Sequence, residues 1–291
     1  MSLLRQQFIR ELVIRGMSES TQESYVYWVY QLAKYYHIAP DQLSDEQVKV
    51  FLQYLVQERK LAASSLNQAT SALRRFYELV LRRSLDQVQL AVPRFRQATR
   101  RPEVFSIQEM ERLLTVGCPH PKHRAFLMTV YGAGLRLNEA CHLKIKDLNS
   151  DRGQIRVEQG KGRKDRYTLF SPALQEQLGI YWKAFRPLHW LFPSSEKPNE
   201  PMCDGTGQKI FRKAVARAGL QRHGGIHSLR HSFATHLSES GVEITVVQRL
   251  LGHSSLSTTS TYLHVTQQRL AQIKSPLQLL DLSGFLASTK R

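Results

Sequence analysis

The sequence is poor in cysteine, in acidic residues and in long apolar runs. Its three cysteines, Cys118, Cys141 and Cys203, form no close pair and no metal-type repeat, which argues against a disulfide framework or a zinc module. No uncharged apolar run approaches the roughly 18 residues of a membrane span, and charged residues interrupt any signal-like segment near the N-terminus. The sequence therefore predicts a cytoplasmic protein with reduced thiols and no membrane partner.

The shortage of acidic residues leaves a large positive charge. The 291 residues include 41 Lys and Arg against 24 Asp and Glu, which gives +17 at pH 7. The excess is +5 over residues 1–100 (14 basic, 9 acidic) and +12 over residues 101–291 (27 basic, 15 acidic). Charge of this size governs association with anions more than folding. Because both halves are basic, we expect a clamp around double-stranded DNA rather than one accessory binding domain.

Residues 1–91 show helical periodicity and predict a small helical bundle that binds DNA. One apolar stripe of this region comprises Tyr25, Trp28, Val29, Leu32 and Tyr36. Residues 92–102 follow, bounded by prolines, with four arginines and no acid. We interpret them as a basic interdomain linker, which either is simply solvated or lies along a phosphate backbone.

Residues 103–291 predict a second domain that is mainly helical with a small β-sheet. Segments 154–158 and 166–170 alternate as strands do and flank a glycine-containing turn, so a β-hairpin is expected. Capping-box patterns predict helix starts in both domains, at Ser20, Ser44 and Ser106.

Four segments of the second domain carry residues suited to chemistry, although each alone has an ordinary explanation as a cap, an ion pair or a core aromatic. Together they supply what phosphodiester cleavage without a metal needs. Arg136 and Arg230 offer permanent charge and planar forks to phosphate oxygens. Tyr262 offers a nucleophile that can form a phosphoester. Lys161 in the hairpin turn offers a general acid, while His227 and His253 offer hydrogen bonds or proton relays.

These segments resemble the tyrosine recombinases, also called the phage integrase family. The runs 227–236, 247–253 and 257–262 are similar to the C-terminal signature of the family, and Gly134 to Glu139 resembles its first arginine box. The resemblance implies a helical SAM-like core-binding domain up to about residue 91 and an α+β catalytic domain after the linker. The compact layout is closest in kind to Xer-type and mobile-element integrases.

The resemblance implies roles for individual residues. Arg136 and Arg230 would clamp the phosphate, Lys161 would be the general acid, and Tyr262 would form a 3′-phosphotyrosine. Glu139 would not contact the phosphate itself and would help to hold the residues that do. Lys164 lies in the same turn, and we choose Lys161 because it follows the first strand within Gly-Lys-Gly. The basic residues expected to bind DNA are Arg74, Arg75, Arg94, Arg96, Arg100, Arg101, Arg163 and Lys164.

The implied activity is site-specific recombination through a Holliday junction, without metal, ATP or another cofactor. Four protomers would act on two DNA duplexes that carry an inverted-repeat site, at the nucleoid in the cytoplasm. The apolar tail after Tyr262 would pack in cis or dock on a neighbouring protomer, and the latter is favoured.

Three alternatives remain to be tested. A type IB topoisomerase would relax DNA without strand exchange, and a DNA-binding protein without activity would form no covalent link. A metal site at His227, His231 and His236 is disfavoured, because Ser228 stands where the zinc-protease motif has Glu.

Overall fold

The computed structural model describes residues 3–84, 86–88, 92, 103–158, 165–221 and 224–252. Contacts divide the chain into two compact units, Met1–Arg100 and Arg101–Arg291. Among the described helices, none is long and apolar enough to cross a bilayer. The predicted linker, apart from Val92, lies outside the described residues.

Four α-helices make up most of the described first unit: α1 (Leu3–Ile14), α2 (Glu19–Tyr36), α3 (Asp45–Gln57) and α4 (Ala63–Leu79). A short 3-10 turn, Pro40–Gln42, separates α2 from α3. The predicted stripe of α2 is confirmed, since Trp28, Val29 and Leu32 are buried and the two tyrosines pack beside them. The core of this unit therefore forms where α2 packs along α4.

Two of the three predicted capping boxes are confirmed. Ser44 accepts a hydrogen bond from the backbone N–H of Gln47 at the start of α3, and Ser106 does the same for Glu109. The box predicted at Ser20 is wrong, because α2 begins at Glu19 with Ser18 as its N-cap. Gly16 has a φ of 65°, the left-handed conformation that is common just after a helix end.

Seven further helices are described in the second unit: α5 (Ile107–Thr115), α6 (Pro121–Gly132), α7 (Leu137–Cys141), α8 (Pro172–Phe185), α9 (Asp204–Arg217), α10 (His227–Glu239) and α11 (Ile244–Leu251). Helices α8 and α10 both pack on the largely buried α6. This arrangement confirms a mainly helical fold and holds α10 firmly against the core of the unit.

A three-stranded antiparallel sheet completes the second unit. Its strands, in spatial order, are β1 (Leu148–Asn149), β2 (Gln154–Val157) and β3 (Arg166–Leu169). The predicted pairing of the two longer strands is confirmed, with Ile155 opposite Thr168 and both buried. The sequence did not predict β1, which has two residues and therefore no visible alternation. Residues 159–164, which join β2 to β3 and include Lys161, lie outside the described residues.

Candidate active site

Glu139 is the centre of the candidate site. It is the third residue of the short helix α7, so its carboxylate turns back to accept a hydrogen bond from the backbone N–H of Arg136 at 2.8 Å. The same carboxylate accepts a second bond, from Nη1 of the Arg136 side chain to Oε1 at 2.7 Å. The Glu139 side chain is 7% exposed, whereas that of Arg136 is 24% exposed. Arg136 is thus anchored at one nitrogen and still reaches the surface.

Arg166 is a site residue that the sequence analysis missed. It is the first residue of β3 and donates a hydrogen bond to each carboxylate oxygen of Glu139, from Nη1 to Oε1 at 2.8 Å and from Nη2 to Oε2 at 2.7 Å. Its Nε donates to the carbonyl of Leu250 at 2.9 Å. The alternation of the strand was the available signal, because residues two apart share a face and Thr168 and Phe170 are buried. An arginine on a buried face needs an anion or a carbonyl to accept its hydrogen bonds.

Arg230 reaches the site from the first turn of α10. It is 5% exposed, and its nitrogens donate to two backbone carbonyls, Nη1 to Gly134 and Nη2 to Leu251, each at 2.6 Å. Its Nη1 lies 3.8 Å from Oε2 of Glu139. The structure therefore brings the two arginines predicted to clamp a phosphate to one carboxylate.

The site has a strong excess of positive charge. Three guanidinium groups surround Glu139, so its negative charge is more than balanced. Burial alone would raise the pKa of Glu139, but hydrogen bonds and charge from Arg166, together with hydrogen bonds from Arg136, lower it to about 2. Glu139 therefore stays ionised at every physiological pH, and the arginines leave a positive field for a further anion.

Glu139→Gln is expected to destabilise the protein at neutral pH by about 3 kcal/mol, from the difference between a pKa near 2 and the ordinary value of 4.5. Because the folded-state pKa is the lower one, this stability is complete above pH 5 and is lost as pH falls towards 2. Urea unfolding of wild type and variant at pH 7 and at pH 3 should show the difference shrinking in acid.

The matched control is Glu158→Gln. Glu158 also bonds to a cation, Lys144, but its side chain is 27% exposed, and ion pairs open to solvent contribute little. A Glu139→Gln penalty that is equally large at both pH values would contradict the ionic origin of this stability.

His227 lies at the start of α10, close to the arginines. Its surroundings desolvate the ring and Arg230 adds positive charge, so the pKa of His227 is lowered, with Asp204 opposing in part. The pKa of His231 is lowered by burial and by the charges of His227 and Arg230. Both shifts favour the neutral form of the imidazole ring. A neutral imidazole can accept a proton, which an imidazolium cannot.

The third histidine of the run, His236, has a structural task. Its Nε2 donates to the carbonyl of Phe105 at 2.8 Å, and its Nδ1 lies 2.9 Å from the hydroxyl of Tyr131. Both ring nitrogens are thus engaged with protein groups, which disfavours the alternative of a metal site at the three histidines. Ser232 also accepts a hydrogen bond from the N–H of Phe105. These contacts fix α10, which carries Arg230, to the start of the second unit.

Gly134 allows the first arginine box to approach α10. It has a φ of 60°, and a Cβ there would lie 2.5 Å from Cε1 of Phe233. Gly134→Ala is therefore expected to lower the free energy of unfolding by about 2–4 kcal/mol, from left-handed strain and overpacking. The matched control is Gly16→Ala, at a φ of 65° with nothing within 4 Å, which should cost only about 1 kcal/mol. Equal losses of melting temperature in the two variants would contradict the steric explanation.

The remaining predicted residues divide into two groups. Arg74 and Arg75 are described: Nε of Arg74 donates to the carbonyl of Val92 at 2.7 Å, and Nη1 of Arg75 pairs with Glu78 at 2.9 Å. Both arginines therefore have partners inside the first unit, and their contact with DNA stays a prediction. The following predicted residues lie outside the described residues: Arg94, Arg96, Arg100, Arg101, Lys161, Arg163, Lys164, His253 and Tyr262.

Comparison with known proteins assigns both units to one family. Residues 103–269 match the model of the phage integrase family, and residues 4–87 match that of the phage integrase N-terminal SAM-like domain. A relative in Sinorhizobium fredii is 40% identical and covers 96% of this chain and 90% of its own length. An integrase/recombinase of Escherichia coli is 35% identical over 89% of this chain and 88% of its own. The tyrosine recombinase XerC of Lactobacillus leichmannii is 36% identical over 79% and 81%.

Solved structures share the fold. A lambda integrase dimer bound to a core site superposes with a TM-score of 0.73 at 20% identity, covering 91% of this chain and 95% of that one. The XerH recombinase bound to a palindromic difH substrate gives a TM-score of 0.71 at 22% identity, covering 91% and 82%. These structures show the fold, and the family models and relatives above show that the chain belongs to the phage integrase family and is a site-specific tyrosine recombinase.

Proposed function

We propose that this recombinase cuts and rejoins DNA through a 3′-phosphotyrosine on Tyr262 and exchanges strands through a Holliday junction. The observation that carries the proposal is the meeting of Arg136 and Arg230 at Glu139, with Nη1 of each lying 2.7 Å and 3.8 Å from its carboxylate oxygens. These arginines are distant in sequence, and each belongs to a different motif of the family. Their convergence supports a single phosphate-binding site.

The arginines supply the charge that the reaction needs. Negative charge develops on the non-bridging oxygens of the phosphate during transfer, and fixed guanidinium groups stabilise it without rearrangement. Arg230 is held by two carbonyls and Arg136 by one carboxylate, so both are oriented before the substrate binds. We therefore propose that cleavage requires no metal ion.

The bond changes balance without an external energy source. Oη of Tyr262 attacks phosphorus, the bond from phosphorus to O5′ breaks, and Lys161 donates a proton to the leaving O5′. The neutral ring of His227 suits acceptance of the phenol proton, and His253 would donate a hydrogen bond to the phosphate. A 5′-hydroxyl from the partner strand then gives its proton to Lys161 and attacks phosphorus, and the bond from phosphorus to Oη breaks as Tyr262 takes its proton back from His227. One phosphoester replaces another at each step, so ATP is not required.

The partner we propose is double-stranded DNA with an inverted-repeat recombination site. The net charge of +17 supports a polyanionic partner, and solved relatives include recombinases bound to DNA sites. A homotetramer acting on two duplexes would place one active site at each of the four DNA strands. We further propose that residues 1–91 form the core-binding domain, residues 92–102 a basic linker and residues 103–291 the catalytic domain. Because its partner is DNA, the enzyme would work at the nucleoid in the cytoplasm.

A nicked substrate tests the proposal. The inverted repeat is sought in the DNA that flanks the encoding gene, and a duplex carrying it is nicked next to the cleaved phosphate so that the 5′-hydroxyl fragment diffuses away. Full-length protein should accumulate as a covalent adduct on denaturing gels and should exchange strands between two intact sites. Relaxation of supercoiled plasmid without exchange would instead indicate a type IB topoisomerase. Binding without an adduct would indicate a protein without catalytic activity.

A further inference from the structure

We propose that Arg166 is a positioning residue of strand cleavage, which holds Glu139 and the end of α11 so that Arg136 and Arg230 meet the phosphate. This inference rests on the proposed function. All three guanidinium nitrogens of Arg166 donate to protein groups. Nε bonds to the carbonyl of Leu250, and Nη1 and Nη2 bond to the two carboxylate oxygens of Glu139. Its side chain is only 9% exposed. Arg166 therefore acts through other residues and does not touch the substrate.

The first effect of Arg166 is on the two clamping arginines. Its paired bonds to Glu139 occupy one direction at each carboxylate oxygen and neutralise the charge. Without these bonds the Glu139 carboxylate would attract the other two guanidinium groups more strongly. Nη1 of Arg136 lies 2.7 Å from it and Nη1 of Arg230 lies 3.8 Å from it. The carboxylate would then compete with a phosphate for the same guanidinium groups. Arg166 thus leaves both arginines available to a second anion.

The second effect is on the end of α11. Its last carbonyls have no partner within the helix, and two consecutive ones are held by different arginines, Leu250 by Arg166 and Leu251 by Arg230. The next residue, Gly252, ends the helix at a φ of 64°, and a Cβ there would lie 2.6 Å from Cδ of Arg166. The stem of Arg166 therefore packs where the chain leaves α11.

Only arginine can make these three bonds at once. Its donors lie in one rigid plane, with the Nη pair matching a carboxylate and Nε turned to a separate acceptor. Lysine has the same charge but a single nitrogen. Arg166→Lys therefore separates geometry from charge, and it is the informative variant.

The test compares two duplexes that differ only at the cleaved phosphate. One carries the natural phosphodiester, and the other carries a methylphosphonate, which has lost one charged non-bridging oxygen and so needs the guanidinium groups less. Single-turnover formation of the covalent adduct is measured on both. Arg166→Lys should reduce the phosphodiester rate about 10²-fold and the methylphosphonate rate much less. Arg136→Lys should show the same selective loss.

The matched control is Arg156→Met, on the neighbouring strand. Arg156 pairs with Asp165 at the surface, with its side chain 45% exposed, and this variant should cleave both duplexes within about threefold of wild type. If a thermal melt shows that Arg166→Lys is unfolded, the same comparison is made with Gly252→Ala. This variant keeps the charge of Arg166 and displaces its aliphatic side-chain carbons. The same selective loss is expected there.

Near-normal cleavage by a folded Arg166→Lys would overturn the inference, and so would an equal loss on both duplexes with an unchanged melting temperature. Failure of the wild-type protein to form any adduct is a different result, because it would overturn the proposed function on which the inference rests.

Discussion

Tyr262→Phe is expected to bind the recombination site with wild-type affinity and to form no covalent adduct with DNA. The substitution removes one oxygen atom, the proposed nucleophile, and keeps the aromatic ring. Water cannot take the place of this oxygen, because hydrolysis would leave no phosphoester from which the strands could be rejoined. The rate of adduct formation should fall by at least about 10⁴-fold, measured in a single turnover on the nicked duplex, with binding followed by mobility shift.

The control for Tyr262→Phe is Tyr167→Phe, which removes the same atom from an exposed tyrosine of β3. It should leave the adduct yield unchanged. Adduct formation by Tyr262→Phe at a normal rate would show that another residue is the nucleophile. Loss of binding in that variant would contradict the expected wild-type affinity and would show that the hydroxyl contributes to recognition.

Arg230→Lys is expected to reduce cleavage by about 10³-fold to 10⁵-fold while the charge of the site is unchanged. Lysine cannot bond to the carbonyls of Gly134 and Leu251, which Arg230 joins at 2.6 Å, and still present a fork to phosphate. Adduct formation on the nicked duplex measures the effect. Cleavage within tenfold of wild type would contradict the assignment of Arg230 as a clamp.

Arg230 is buried, so a stability loss must be separated from a catalytic one. Thermal melts of Arg230→Lys identify the first. Arg136→Lys gives a second measurement at a position whose side chain is 24% exposed, where packing is disturbed less. The cationic control is Lys146→Ala, because Lys146 is 63% exposed and pairs with Glu158 at 3.7 Å. It should cleave at the wild-type rate.

The features that sequence analysis predicted well are local ones. The capping boxes at Ser44 and Ser106 depend on residues three apart, and the buried stripe of α2 depends on spacings within one helix. The box predicted at Ser20 was wrong, because α2 begins before Ser20, with Ser18 as its N-cap. Two-residue β1 has too little sequence to show a period at all.

Arg166 shows what local patterns could not predict. Its position in a strand was predictable, but its partner Glu139 lies in another element, and nothing in the spacing between them indicates a pair. The same holds for Arg230, whose carbonyl partners Gly134 and Leu251 come from two different segments. Contacts of this kind depend on how α7, β3, α10 and α11 pack together.

The sequence by itself determined the fold class, the helix starts that depend on neighbouring residues, and the motifs that place this chain among the tyrosine recombinases. Only the tertiary structure decided that three arginines meet at Glu139, and that Glu139 is the anion to which Arg166 bonds. The physical reason is that helix periods and caps act over a few residues. Burying a guanidinium instead requires an anion or a carbonyl, which distant parts of the chain supply only after folding.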